Sequence, residues 1–461
     1  MELSVQVPEV CAAEIDYTLS VLLGDFLGLT YRVERGSGAG ISLVAGGKRL
    51  DLPATFFHIA AQSWLQAGSL PNQPLARWDC HELCPALGAT GTDVPVIFGN
   101  PSGVVAPERI ELGLDVIGSA FFLLSRYEEA VREDRDHHDR FPASASLMHQ
   151  EALLDRPIVN EYLEILWACI TSLWPGLERK RHDFRLRITA DADQPYCSGL
   201  KNPLRLVKKI GGDLLKRKNP RRAAATAANF FVSRFGNFSF DPFLTRFDWM
   251  MDVNEAAGNT MTVYFIAGHS DARFDGCYSL QEPVIRKLMR RIHERGHHIG
   301  LHGSYHTYRD GQRMRQEADA LREALEQEGV PSDGLGARQH YLRWATLATA
   351  RHMAEAGLAH DSSLTFADHA GFRAGTCFEF QLYDLEGRTP LDLRERPLVV
   401  MEWSIIDTQY MGLGYTAESL AEMRRFREVC RQYGGDFTLV WHNSSFENEW
   451  CESAYRELLK G

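Results

Sequence analysis

Two histidines, His302 and His306, stand four residues apart in the stretch HHIGLHGSYHTY. Imidazoles at that spacing can face one metal ion if the chain turns helically between them. The plainer reading is one capping histidine and one packed one. The run His298–Leu301 before them reads as the end of a buried strand. A second strand end, RLRITADADQPY, carries Asp191 and Asp193. One carboxylate of such a pair can bind a metal while its neighbour acts as a base toward water. The alternative is a pair of turn acids capping the next helix. Two histidines and one aspartate form a three-ligand set that leaves room for water and substrate, as catalytic metal sites do.

Three further stretches could serve the same chemistry. Leu439-Val440-Trp441-His442 ends a C-terminal strand, and an imidazole with an ordinary pKa near 6.5 suits a proton donor; a lone histidine there could equally be structural. Gly336–Tyr341 brings Arg338, which could pair with a catalytic carboxylate and keep it ionised or form a surface ion pair. His340 beside it is either a pocket side chain or a buried polar one. Asp361, in HDSSL, could orient a histidine, and Arg373, in AGFRAG, could contact an anionic or hydroxyl-rich substrate or close a loop salt bridge. Trp441, adjoining His442, is a further substrate-contact candidate.

These residues need strands to carry them. From about residue 181 the pattern alternates strand and helix. Strands are expected at 184–190, 260–266, 297–302, 335–341, 397–403 and 437–442, and helices at 281–295, 310–328, 343–356 and 416–433. Such alternation implies a parallel sheet closed, or nearly closed, into a barrel, with the chemistry at the C-terminal strand ends. Residues 1–180 lack that rhythm. Helices at 13–28, around 120–133 and in 151–173, with short strands at Ile41–Val44 and Val94–Phe98, make this an α+β accessory domain without a visible catalytic constellation.

The 461 residues are 44% hydrophobic and 24% charged, which suits a folded protein of two or three domains. No apolar run reaches the roughly 18 residues of a membrane span. The first residues lack a basic start, which argues against a secretory signal. Nine cysteines without regular pairing suit reduced thiols in the cytoplasm. The net charge of −11 argues against nucleic acid as a partner. Residues 201–222 run the other way, with nine Lys/Arg against one Asp, a local +8. Leu204, Val207, Ile210 and Leu214 share a rough helical face there. The segment, part of an insertion at about 201–240, is either solvated or a basic amphipathic helix for anionic lipid headgroups or phosphorylated substrates.

Taken in order, the motifs resemble the polysaccharide deacetylase family, the NodB-homology carbohydrate esterases. Thr189–Asp193 is similar to its T-x-D-D motif, with Ala192 between the two acids. His302–His306 fits H-x-x-x-H, Arg338–Tyr341 fits R-x-x-Y with Gln339-His340 in place of the usual prolines, and Leu439–His442 fits L-x-x-H. Asp361-Ser362-Ser363 is a looser match to the fourth motif. The stretches LDVIGSAFFLLSRYEE and RQHYLRW resemble a bacterial subgroup with an extra N-terminal domain, associated with surface-polysaccharide biosynthesis.

The resemblance, over residues 181–461, implies a distorted (β/α) barrel that removes N-acyl groups, chiefly acetyl, from sugars. It makes Asp191 the base, positioned by Arg338, and His442 the acid. Asp193, His302 and His306 become the ligands of a divalent ion, zinc or another transition metal, and the Tyr341 N–H faces the oxyanion. His340, Asp361, Arg373 and Trp441 would meet the substrate. A formamide or cyclic-amide hydrolase, or a non-catalytic sugar-binding or assembly protein on the same barrel, are the alternatives. The cell compartment expected is the cytoplasm, with peripheral contact to the inner membrane or a lipid-linked substrate through 201–222.

Overall fold

The computed structural model describes residues 2–197, 203–215, 220–233, 235, 238–446 and 448–460. Of the basic segment, Lys201, Asn202 and residues 216–219 lie outside the described residues.

The alternating pattern after residue 181 folds into a nine-stranded sheet. Its strands, in chain order after eight in the N-terminal part, are β9 (Arg185–Ala192), β10 (Met261–Ile266), β11 (His298–Gly303), β12 (Gly336–Gln339), β13 (His360–Asp361), β14 (Phe380–Asp384), β15 (Thr389–Glu395), β16 (Val400–Met401) and β17 (Asp436–Val440). They lie in the order β14-β15-β13-β12-β11-β10-β9-β17-β16. Every neighbouring pair is parallel except β14–β15. Parallel strands buried on both faces need continuous apolar runs; β17 is buried throughout and β10 nearly so. Helices Pro283–Glu294, Gly311–Gln327 and Ala417–Gln432 stand close to their expected positions. Asp310 and Thr416 cap the last two, each side chain accepting a backbone N–H three residues on.

The sheet is a curled half-barrel; the full barrel expected, closed or nearly closed, is not shown. Among the described residues no ladder joins β14 to β16. The β14–β15 end is covered by the helix Ala12–Leu19 instead. Tyr17 donates to the Gln381 carbonyl (2.6 Å), and Glu14 accepts from Tyr383 and Arg388 (2.8 Å each). An edge covered in this way needs no partner strand.

The N-terminal part is richer in strands than its sequence suggested. β1 (Leu3–Pro8), β2 (Tyr31–Gly36), β3 (Gly40–Ala45), β4 (Lys48–Pro53), β7 (Gly99–Val105) and β8 (Arg109–Leu114) form a mixed sheet in the order β2-β1-β3-β4-β8-β7, with β5 (Ala76–Trp78) and β6 (Val94–Val96) paired beside it. The helix Ile158–Leu173 packs against it, and the helix Val116–Leu124, buried along its whole length, packs against that helix and against Ala12–Leu19. One apolar core runs from this sheet into the larger one. The expected helix at 343–356 is shortened to Thr349–Glu355; Tyr341 (φ 60°) and Leu342 (φ 54°) before it are left-handed and Arg343 is extended.

Candidate metal centre

β9 runs up to Ala192 with Asp193 one residue beyond. Strand side chains alternate, so Thr189, Asp191 and Asp193 share one face while Ala190 and Ala192 are buried on the other. The extra residue between the two acids therefore keeps both carboxylates on the cavity side.

Three imidazoles converge on Asp193. The His302 Nδ1 donates to the Arg338 carbonyl (2.9 Å), which leaves its Nε2 3.2 Å from Asp193 Oδ1. His340 donates from Nδ1 to Asp275 Oδ1 (3.0 Å), and its Nε2 lies 3.6 Å from the same Asp193 oxygen. His442 donates from Nδ1 to Glu402 Oε1 (2.7 Å), and its Nε2 stands 3.6 Å from Asp193 Oδ2 and 4.0 Å from Asp191 Oδ2. Carboxylate or carbonyl oxygens behind each ring fix its tautomer and direction, as outer partners do in metal sites.

Asp193, His302 and His340 offer ligand atoms within 4.8 Å of one another. Asp193 Oδ1 is buried and has no hydrogen-bond partner. With Nδ1–H committed elsewhere, His302 and His340 each turn Nε2 toward that oxygen, and an imidazole Nε2 without a proton is an acceptor. Three acceptors aimed at one point repel unless a cation lies between them. The residues present therefore fit a divalent metal. Without one, protons take that role. Burial would lift the Asp193 carboxyl, yet His340, His302 and His442 hold it well below the usual carboxylate range. Burial lowers His340, but Asp193 and then Asp275 raise it to about 9. His442 likewise rises to about 10 against burial, through Glu402, Asp193 and Asp191.

Asp191 is held from behind. Arg338 is fully buried, donates to Asp191 Oδ1 (2.9 Å) and Thr189 Oγ1 (2.8 Å), and is anchored by Ser362 through its carbonyl and Oγ. The Tyr264 ring supports the guanidinium at 4.7 Å. Tyr264 lies over Gly300, where a Cβ would come within 2.5 Å of the ring. Arg338 thus occupies Asp191 Oδ1 and leaves Oδ2 facing the histidines, 3.8 Å from His302 Nε2.

The cavity over these groups has a volume of about 310 Å³ and is walled by Tyr341, Met401, Trp403, Tyr410 and Arg140. Arg140 belongs to the N-terminal part, where no catalytic residue was expected. It donates to the Tyr341 carbonyl (3.1 Å) and is held by Asp136 (2.8 Å). It thereby clamps the left-handed Tyr341-Leu342 turn, a conformation that costs about 1–3 kcal/mol per residue. A larger hollow of about 610 Å³, with Arg187, His360 and Arg396, opens toward the other ends of the strands, away from this convergence.

Several expected site residues lie elsewhere. His306 is not in the cluster. β11 ends at Gly303, and Ser304–His306 form a turn and not a helix, so the i,i+4 relation never arises. Glu317 accepts the Ser304 N–H and Asp275 the Tyr305 N–H. The turn they pin leaves the His306 ring half exposed, 3.6 Å from Asp271. Arg373, expected at the substrate, is buried against Glu129 (2.7 and 2.8 Å) and the Thr365 carbonyl. Asp361 is fully buried, accepts from Ser363, and through Ser363 Oγ supports the Gln339 N–H. Trp441 is fully buried and stacks on Phe446 at 5.6 Å, because alternation along the strand turns it to the face opposite His442. His340, expected at the substrate, stands among the ligand atoms.

Asp275 and Glu402 were missed in the sequence. Glu402 had a visible signal, being an acid at the end of the strand expected at 397–403. Asp275 lies in a loop and had none.

A family model described as "Family of unknown function (DUF7033)" matches residues 3–175. No curated protein matches the chain. Among solved structures, the chain is similar to one described as "putative polysaccharide deacetylase from Mycobacterium smegmatis". The two are 20% identical, the match covers 62% of this chain and 84% of that one, and the TM-score is 0.37. A likeness this distant has no weight for the site or its chemistry.

Proposed function

We propose that the chain is a metal-dependent hydrolase that removes an N-acyl group, acetyl above all, from a sugar. The observation that carries this reading is the convergence of His302, His340 and His442 on Asp193, whose inner oxygen lacks any hydrogen-bond donor, beside an Asp191 clamped by Arg338. Asp193, His302 and His340 would hold the divalent ion, zinc being the expected one for this ligand set. When bound, the ion supplies Lewis-acid polarisation and acidifies water.

The protein's own groups do the rest. Arg338 holds Asp191 by Oδ1 and turns Oδ2 inward, where it takes the proton of the attacking water. His442, oriented by Glu402, gives a proton to the leaving amine nitrogen. The Tyr341 N–H, in the turn clamped by Arg140, faces the oxyanion. In this reading the curled sheet is a distorted barrel of the deacetylase type, residues 181–461 form the catalytic domain and 1–180 an accessory one. The protein would act in the cytoplasm on precursors of surface polysaccharides.

Metal content and acetate release from N-acetylated sugars test it, measured together on wild type, His340→Ala and His306→Ala. We expect about one metal per chain, lost with activity in His340→Ala and kept in His306→Ala. The reverse pattern would reject His340 as ligand. Metal without acetate release would point to another amide, such as a formamide. No metal after reconstitution would leave a binding module.

A further inference from the structure

The segment between β9 and β10 leaves the sheet directly after Asp193 and rejoins it at Met261. Two helices within it, Pro203–Leu215 and Pro220–Ser233, pack on each other. One side of the second helix faces the body of the protein. Ala223, Thr226, Asn229 and Phe230 are buried there, Phe230 clustering with Cys197, Leu206 and Phe243.

The opposite side is apolar and uncovered. Ala224, Ala228 and Phe231 recur at helical spacing, and Phe235 continues the stripe just past the helix end; all four are exposed, Phe235 to 89%. On the first helix Val207, Leu214 and Leu215 recur on one face and are exposed too, Leu215 to 81%. With Phe240, these are six of the ten exposed large hydrophobic side chains among the described residues. Apolar exposure gathered in this way marks an interaction surface.

Charge selects the partner. The same stretch carries nine Lys/Arg and one Asp within residues 201–222, in a chain of net charge −11. Exposed aromatic and aliphatic side chains within so basic a stretch of sequence match the boundary of an anionic bilayer, where cations meet headgroup phosphates and apolar groups enter the acyl edge. A second copy would bring the same basic stretch of sequence. We infer that this helical pair docks the protein onto an anionic lipid surface. Both ends of the insertion are tied to the site: Asn443, next to His442, donates to the carbonyls of Gln194 (2.9 Å) and Phe243 (3.1 Å). Docking thus brings the cavity to the lipid boundary, where a saccharide carried on a lipid is presented.

Vesicle flotation of the full chain tests this without metal or turnover, so its failure leaves the hydrolase reading untouched. Vesicles of phosphatidylcholine alone are compared with vesicles containing about one third phosphatidylglycerol. Binding is expected on the anionic vesicles, roughly tenfold weaker on neutral ones, and reduced by about 0.5 M salt. Phe231→Ser/Phe235→Ser should lower it roughly tenfold at unchanged circular dichroism. Leu214→Ser/Leu215→Ser should do the same, and serves if the first variant misfolds. Failure to float with either vesicle, or equal binding by the folded variants, would overturn the inference. A vesicle-free dimer that these substitutions dissociate would assign the face to a second copy.

Discussion

Two buried arginines, Arg338 and Arg373, each lie against a carboxylate, yet only one of these pairs adjoins the site. Glu129 is saturated: Arg373 takes both its oxygens and Arg126 donates to one of them (2.9 Å). Those bonds tie the N-terminal part to the loop before β14 and leave no atom free. Asp191 receives Arg338 on one oxygen and keeps the other toward the histidines. What separates a structural pair from a reactive one is the unclaimed oxygen, because both pairs are buried and both satisfy their arginine.

That contrast can be broken from either side. Asp191→Asn keeps an oxygen for Arg338 but removes the proposed base. Turnover should fall by about 10²–10⁴ while metal content stays. Full activity in the folded variant would remove Asp191 from the mechanism. Glu129→Ala leaves Arg126 and Arg373 buried without their anion and should destabilise the fold by about 3–5 kcal/mol. Denaturant unfolding would read this as a lower midpoint, and an unchanged midpoint would mean the seam bears no load.

Acid tests the same seam with the wild-type protein. Burial alone would raise Glu129, but Arg373 and Arg126 hold its carboxyl down at about 2, below its ordinary 4.5. A depressed folded-state pKa adds stability that is complete above about pH 4.5 and lost as pH falls toward 2. The loss should be about 3 kcal/mol. Absence of that slope in Glu129→Gln would assign it to this residue; its persistence would assign it elsewhere. His306→Ala sets the lower bound, since a half-exposed ring outside the cluster should shift stability by less than about 0.5 kcal/mol. A larger loss in thermal melting would reveal a structural role for that turn.

The sequence by itself determined the periodic elements. Strands β9, β10, β11 and β17 and the helices around Ile285, Leu321 and Met423 follow from local apolar patterns that burial requires. It also determined which chemical groups stand at or just past strand ends, Asp191, Asp193, His302 and His442 among them, because the apolar runs locate the strands; a strand fixes the direction of its side chains only up to its last residue. Beyond that residue the direction depends on what pins the turn. Which of His306 and His340 faces Asp193 was therefore decided by tertiary partners: Glu317 and Asp275 hold the Ser304–Tyr305 turn, and Asp275 aims His340. Arg373 and Trp441 likewise have the right chemistry for a site but are buried by distant elements. The half-barrel is tertiary as well, since the N-terminal helix that covers β14 lies more than 350 residues away along the chain. Contacts across such separations leave no periodic trace, and only the folded chain brings their partners within reach.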